Sequence, residues 1–441
     1  MTLLVISPDY ASHLLPLATL ATAWRDAGED VVVATGPATA GIVESFGYAR
    51  HDLRLGRGSN PGVIRAEEQV RGEDDALRGF FAATERGMVE TLAFQARARR
   101  TDLLWDPVAS GRAVLAAVDA VRPDAVVVDH LAFSARLALR AGGVPHADVV
   151  LGHPCALPVG EEVYGYPTAW PAAFAPDARE LAELHALCRS VAAQFTDEWN
   201  AATAALAPGA DAVEDAFAVS GDLLLLNHPQ ALNDPARTAL LPPHAFLGAA
   251  LRTEEVPAAV TAWLAEHAGE PVVYVSFGSF LSARSDVLAV VVRALRDLGA
   301  PVALAVGSAD REVLGALPDD WLVAEFLPQV AILRAARAVV THGGNNSVTE
   351  AAASGVPMVL LPFSTDQFAG AAAVEDAGLG LALDPVTATP AQVAAAVREV
   401  LSGRMHPRAR ALAEELAAAP GPAVARAAVL AAGDRVAPGL S

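Results

Sequence analysis

The chain has no lysine. All 31 of its Lys+Arg positions are arginine, set against 51 acidic residues, for a formal net charge of -20. A duplex nucleic acid partner needs a basic face, so this balance argues against one. Cysteine is nearly missing too: Cys155 and Cys188 are too few for a disulfide framework or a zinc cluster. No charge-free apolar run is long enough to span a bilayer. The opening "MTLLVISPDYASHLLPLA" lacks a basic leader and is interrupted by Pro8, Asp9 and His13. These absences point to a soluble, cytoplasmic protein with no membrane insertion; a monomer or homodimer is expected, though no residue pattern decides between them. Global disorder is also excluded, because 53% of the residues are hydrophobic and only 19% charged.

At 441 residues the chain exceeds the usual size of one core. Short apolar runs alternate with helical stretches. "TLLVIS", "DVVVAT", "DAVVVD" and "PHADVVL" read as buried strands, and the rhythm restarts with "PVVYVSFGS", "PVALAVG", "WLVAEFLP", "ARAVVTHGG" and "VPMVLLP". Valine-rich runs separated by helices predict parallel sheets covered on both faces. The expected division is a first α/β domain over 1–228, a proline-rich linker over 229–258 and a second α/β domain over 259–410. A C-terminal helix and tail over 411–441 is expected to pack back on the first domain. The irregular stretches near residues 50–75 and after Leu151 read as binding insertions. In such folds ligands bind beyond the carboxyl ends of the strands.

At one strand end stands "THGGNNSVTE", residues 341–350. Gly343 and Gly344 allow a sharp turn, and Asn345, Asn346 and Ser347 fall in the first turn of a helix, where free N–H groups attract anions. No arginine occurs between Arg337 and Arg398, so a phosphate here is expected to rest on backbone dipoles, hydroxyls, amides and His342. An ordinary capped turn fits the same ten residues, and Glu350 fits a capping box with Ser347 as well as a ribose diol. Asp366 and Gln367, in "FSTDQ", suit sugar hydroxyls or a polar turn. In the first domain, His13 follows the first strand and Asp129 ends another. They read as a base with its orienter, or as a structural histidine and a helix cap.

The run from "EFLPQVAIL" through "THGGNNSVTEAAASGVPMVLLPFSTDQ" resembles the donor-binding signature of the family 1 glycosyltransferases. The resemblance implies a GT-B fold, α/β, with two facing Rossmann-like domains and a ligand cleft between them. Position by position it implies that Phe326 stacks on the base and Gln329 sits beside base and ribose. His342, Asn346 and Ser347 would bind the diphosphate with the backbone of Gly344 and Asn345, and Ser279 would add a second phosphate contact. Glu350 would hold the ribose, and Asp366 and Gln367 the hexose. The chain departs from the family at Asn345, often a bulky residue there, at Phe326, more often tryptophan, and at Gly370, commonly asparagine. For the "SHLLP" turn, with Ser12 in place of glycine, the resemblance implies His13 as general base with Asp129 as its partner.

The resemblance implies an inverting transfer from a UDP- or TDP-sugar to a hydroxyl of a small lipophilic natural product, with no cofactor and no metal. The start of the helix at His13 is expected to help keep the base neutral. Phe80, Phe81, Met88, Phe94, Trp105, Tyr164, Tyr166, Trp170 and Phe174 either line the acceptor pocket or pack in the core. Two other readings stay open: a transferase for a lipid-linked acceptor, and a non-catalytic nucleotide-sugar-binding partner protein.

Overall fold

The computed structural model describes residues 1–60 and 73–436. Thirteen strands form two parallel sheets. The first contains β1 (Thr2–Ile6), β2 (Asp30–Thr35), β3 (Ala49–Asp52), β4 (Ala125–Asp129), β5 (Ala147–Val150), β6 (Leu223–Leu226) and β7 (His244–Phe246), in the order 3-2-1-4-5-6-7. The second contains β8 (Val273–Ser276), β9 (Val302–Ala305), β10 (Leu322–Ala324), β11 (Ala338–Thr341), β12 (Met358–Leu360) and β13 (Gly380–Ala382), in the order 10-9-8-11-12-13.

Why valine runs give these sheets is visible along β1. Leu3 and Val5 face one apolar cluster with Leu14, Leu17 and Trp24, while Leu4 and Ile6 face another with Val114 and Val128. Successive side chains point to opposite faces, so a strand covered by helices on both must be apolar throughout. In β8, Val273 and Val275 face one cluster and Tyr274 the other. Each sheet reverses its strand order at one point, β1 beside β4 and β8 beside β11. Crevices open at such points.

The domain boundaries differ from expectation at two places. Residues 229–258 are not all linker. Helix Pro235–Thr238 and β7 lie within them, and β7 completes the first sheet. Pro242 and Pro243 hide this three-residue strand from a reading of the sequence, but an edge strand tolerates prolines beside it. The return to the first domain starts at Gly421 rather than at 411. Helix His406–Ala418 gives Ala409 and Leu412 to the second domain's core. Helix Gly421–Val436 lays Ala425 and Val429 on the first. Among the described residues no single helix is long and apolar enough to cross a membrane, and the bent pair that passes by length and composition is this one.

The insertions tie the domains together. Of residues 50–75, positions 61–72 lie outside the described residues. Beyond them, helix Glu73–Thr84 reaches the second domain. Phe80 and Phe81 pack on Phe280 at ring-centroid distances of 5.1 and 5.2 Å, and Arg284 donates to Thr84 Oγ1 at 3.0 Å.

Candidate active site

The two reversal points face each other across one cavity of about 690 Å³. On its first-domain wall, His13 stands in the first turn of helix Ala11–Arg25, directly after β1, and Asp129 ends β4. The parallel pairing of β1 with β4 brings these strand ends together. His13 Nδ1 lies 2.7 Å from Asp129 Oδ2. Asp129 is 1% exposed and His13 25% at the side chain, so the pair has a buried carboxylate and an accessible imidazole. Asp129 Oδ1 accepts the Leu131 N–H at 2.8 Å, and the following helix, Phe133–Ala141, has Ala132 at its N-cap with no side-chain cap. Asp129 is therefore not a helix cap. Burial pushes the His13 pKa down, but the Asp129 charge and hydrogen bond outweigh it, and the net direction is up. The expected depression by the helix start is not what governs this ring.

On the opposite wall, Gly343 takes φ +78° and Gly344 caps helix Asn345–Ala353 with its backbone only. A Cβ at Gly344 would overlap His342 Nε2. No side chain caps this helix, so Ser347 and Glu350 do not form a capping box. Its first-turn N–H groups are left to water or a ligand. His342, Gly344, Asn345, Asn346 and Ser347 all line the cavity. Burial lowers the His342 pKa to about 4, against a hydrogen bond with the Ser276 backbone, so this imidazole stays neutral near pH 7.

Asn345, the position where the chain departs from its relatives' bulky residue, spans the cleft. Its Nδ2 donates to Leu151 O at 2.7 Å and Asn227 O at 2.8 Å, just past the ends of β5 and β6. Its Oδ1 therefore accepts from His228 Nδ1, at 2.7 Å. Burial lowers the His228 pKa to about 4, which keeps the ring neutral, and the bond to Asn345 puts its proton on Nδ1. Asn346 Nδ2 donates to Ser12 O at 3.2 Å, beside His13. The starts of helices Asn345–Ala353 and Ala11–Arg25 are thus in direct contact.

The wall around Arg252 holds a correction. The sequence suggested an anion site whose only basic side chain was His342, yet Arg252, from the segment after β7, lines the same cavity. Its Nη1 pairs with Glu350 Oε1 and its Nη2 lies 2.7 Å from Glu254 Oε1. Gln329 Nε2 donates to Glu350 Oε2 at 2.5 Å. Burial pushes the Glu350 pKa up, opposed by the Arg252 charge. Nothing in the sequence marked Arg252, whose neighbours read as linker. Phe326, 57% exposed, stands at the cavity wall near this cluster.

After β12, Thr365 takes a left-handed φ of +52°, a costly conformation for a β-branched residue. The turn is held by Gln95 Oε1, which accepts the Thr365 N–H at 3.2 Å. It aims Asp366 into the cavity, where Oδ1 accepts from Thr365 Oγ1 at 2.8 Å and Oδ2 from the His153 N–H at 2.5 Å. Gln367 stands apart. Its Oε1 accepts the Phe363 and Ser364 N–H groups at 3.0 and 3.3 Å, which shapes the turn rather than the cavity wall. Gly370 lies buried beneath His153. Ser279 is the one expected site residue whose side chain lies outside the described residues. Of the residues expected to line an acceptor pocket or pack in the core, Tyr164 and Tyr166 line the cavity, while Phe80, Met88 and Phe174 are buried in the cores.

Comparison with known proteins follows the same geometry. The family model described as UDP-glucoronosyl and UDP-glucosyl transferase matches residues 184–410, just over half of the chain. A PGL/p-HBAD biosynthesis glycosyltransferase of Mycobacterium tuberculosis is 36% identical over 172 residues, 39% of each chain. The vancomycin aglycone glucosyltransferase of Amycolatopsis orientalis is 34% identical over 212 residues, 46% of this chain and 50% of that one. The chain thus covers half or less of the length of these relatives. Among solved structures, glycosyltransferase VinC in complex with dTDP superposes with a TM-score of 0.69 at 20% identity, over 99% of this chain and 100% of that one. The calicheamicin glycosyltransferase CalG4 gives 0.67 at 23%, over 99% of each. At these identities the likeness establishes the fold, GT-B, with two Rossmann-like domains.

Proposed function

The chain belongs to the UDP-glucoronosyl and UDP-glucosyl transferase family, and on that premise we propose that it is an inverting glycosyltransferase. It moves a hexose or deoxyhexose from a UDP- or TDP-sugar to a hydroxyl of a small lipophilic acceptor. The observation that carries this reading is the His13–Asp129 pair at 2.7 Å, set across one cavity from an uncapped helix start.

An alcohol is a weak nucleophile, so its proton must leave as attack begins. With Nδ1–H donated to Asp129, His13 presents Nε2 as the base, and the buried carboxylate stabilises the imidazolium that forms. The departing diphosphate gains charge facing the first turn of helix Asn345–Ala353, with neutral His342, Asn346 and Ser347 as hydrogen-bonding partners. Attack from the His13 wall on a sugar held from the opposite wall is a single displacement, which inverts the anomeric carbon. Phe326 supplies a stacking face for the base, Gln329 the ribose contact and Asp366 the hexose contact, while Glu350, 3% exposed and off the cavity lining, braces Gln329 and Arg252 from behind instead of meeting the ribose as expected. The accessible dyad argues for catalysis over a purely binding role.

The test is a thermal-shift panel of nucleotide sugars followed by analysis of the product anomer. A ligand that binds only the native state raises the melting temperature. Stabilisation by one UDP- or TDP-sugar, with a product of opposite anomeric configuration, is the expected outcome. No shift with any nucleoside diphosphate, or a product that retains configuration, rejects the reading.

A further inference from the structure

The cavity is lined by a second arginine that the steps above leave unused. Arg99 lies near the end of helix Met88–Asp102, half-buried, on the cavity wall. Its neighbours Arg97 and Arg100 are exposed, and Arg100 turns outward to Ser190 Oγ at 3.0 Å. Arg99 turns inward. Its guanidinium lies over the Tyr164 ring, 4.9 Å from the centroid. Gly165 makes the room, since a Cβ there would overlap Arg99 Nη1.

Among the described residues no carboxylate pairs with Arg99; its recorded partner is the Tyr164 ring. Arg252, the other cavity arginine, holds two carboxylates. In a chain with 51 acidic residues and 31 basic ones, a cleft cation without a carboxylate partner calls for an anion from outside. The segment beside it gives the cavity Tyr164, Tyr166 and Pro167. One turn earlier on the same helix, Gln95 holds the turn that aims Asp366 into the cavity. Arg99 therefore shares a helix face with the residue that holds the Asp366 turn, the hexose position of the reading above.

Resting on the transferase reading above, we propose that Arg99 is a carboxylate receptor where the acceptor and hexose positions meet. One of the two molecules joined in the cleft is an acid. A planar guanidinium presents two parallel N–H donors to a carboxylate, and stacking on Tyr164 fixes its plane while leaving its edge free. The apolar wall selects the body of the ligand, and Arg99 selects its charge. The carboxylate comes either from the acceptor or from a uronic acid in the donor.

Isothermal titration on the full chain separates these sources. The first arm loads the protein with the nucleoside diphosphate that it binds and titrates a hydroxynaphthoic acid and its methyl ester. The second compares the glucuronate and glucose forms of that nucleotide sugar. A charge-assisted bond predicts about tenfold to a hundredfold tighter binding of the acid in one arm. Arg99→Met removes that preference while leaving ester, glucose-form and nucleotide affinities within about twofold. A preference in the first arm assigns the carboxylate to the acceptor, and one in the second assigns it to the sugar. No acid preference in either arm, or a preference that survives Arg99→Met, overturns the proposal. Failure to bind any nucleoside diphosphate sinks the transferase reading instead, so the two failures are distinct.

Discussion

Replacing Asp129 with asparagine changes one atom and reverses the proton arrangement of the base. Asp129 Oδ1 already accepts the Leu131 N–H at 2.8 Å, and Oδ2 faces His13 Nδ1 at 2.7 Å. In Asp129→Asn the amide oxygen must keep the Leu131 contact, which turns the NH2 group toward His13. Nδ1 then accepts instead of donating, the proton moves to Nε2, and the atom that should take the acceptor proton is occupied. The carboxylate that stabilises the imidazolium is lost as well, a charge-assisted bond of ~1.5–3 kcal/mol. With the general-base contribution of about 10²- to 10⁴-fold, kcat/KM for transfer should fall within that range while donor affinity stays near wild type.

The pH profile gives an independent reading of the same substitution. The wild-type His13 pKa lies above 6.5, and the base works neutral, so the rate rises as pH climbs through that raised value. In the variant burial acts unopposed and this acid limb moves to lower pH. Stability follows the matching sign. A raised folded-state pKa contributes stability that is full below 6.5 and is lost as pH rises through the folded value. The variant should therefore lose more melting temperature at about pH 5.5 than at about pH 9. A variant within about fivefold of wild-type kcat/KM, or an acid limb that does not move, refutes the base–orienter assignment.

Other substitutions separate binding from folding. Phe326 is 57% exposed, so Phe326→Ala should leave the melting temperature nearly unchanged. Loss of stacking should nonetheless weaken nucleotide binding by ~1–3 kcal/mol in a titration. Asn345→Ala removes three hydrogen bonds between the domains at ~0.5–1.5 kcal/mol each. It should widen the cleft, seen as a larger radius in small-angle scattering that donor binding reverses; an unchanged radius would deny Asn345 its clasping role. Because His342 stays neutral down to about 4, affinity for a nucleotide sugar should not climb between pH 7 and pH 5.5. A steep rise there would mean that the imidazole binds phosphate as a cation.

The positions His13, Asp129 and 342–347 were legible because they follow apolar strands directly, and strand ends in a parallel sheet share one edge. The two-domain plan was legible for the same reason, since valine runs covered on both faces carry their periodicity openly. Three of the four edge strands did not. β3 reads Ala-Arg-His-Asp, β7 follows two prolines, and β13 is three residues of glycine, leucine and alanine. Such strands are half-covered and short, so they lack an unbroken apolar run. β6 is an apolar run, but one of four leucines, which periodicity cannot tell from a buried helical segment. Arg252 and Arg99 were hidden because each reaches the cavity by a tertiary route, one from the segment between domains and one from an insertion helix. Asn345 could be seen as a departure from its relatives, but its reason lay in Leu151, Asn227 and His228, more than a hundred positions away. Gln367 shows the opposite case, a residue expected on the sugar whose side-chain carbonyl is spent on the backbone of its own turn.

The central claim is that a base on the first domain acts on a sugar held by the second. Its most direct measurement is transfer by His13→Ala, assayed beside nucleotide-sugar binding on the same preparation. The account predicts binding within about twofold of wild type and a transfer rate lower by about 10²-fold or more. Transfer at a near wild-type rate with binding intact would contradict it.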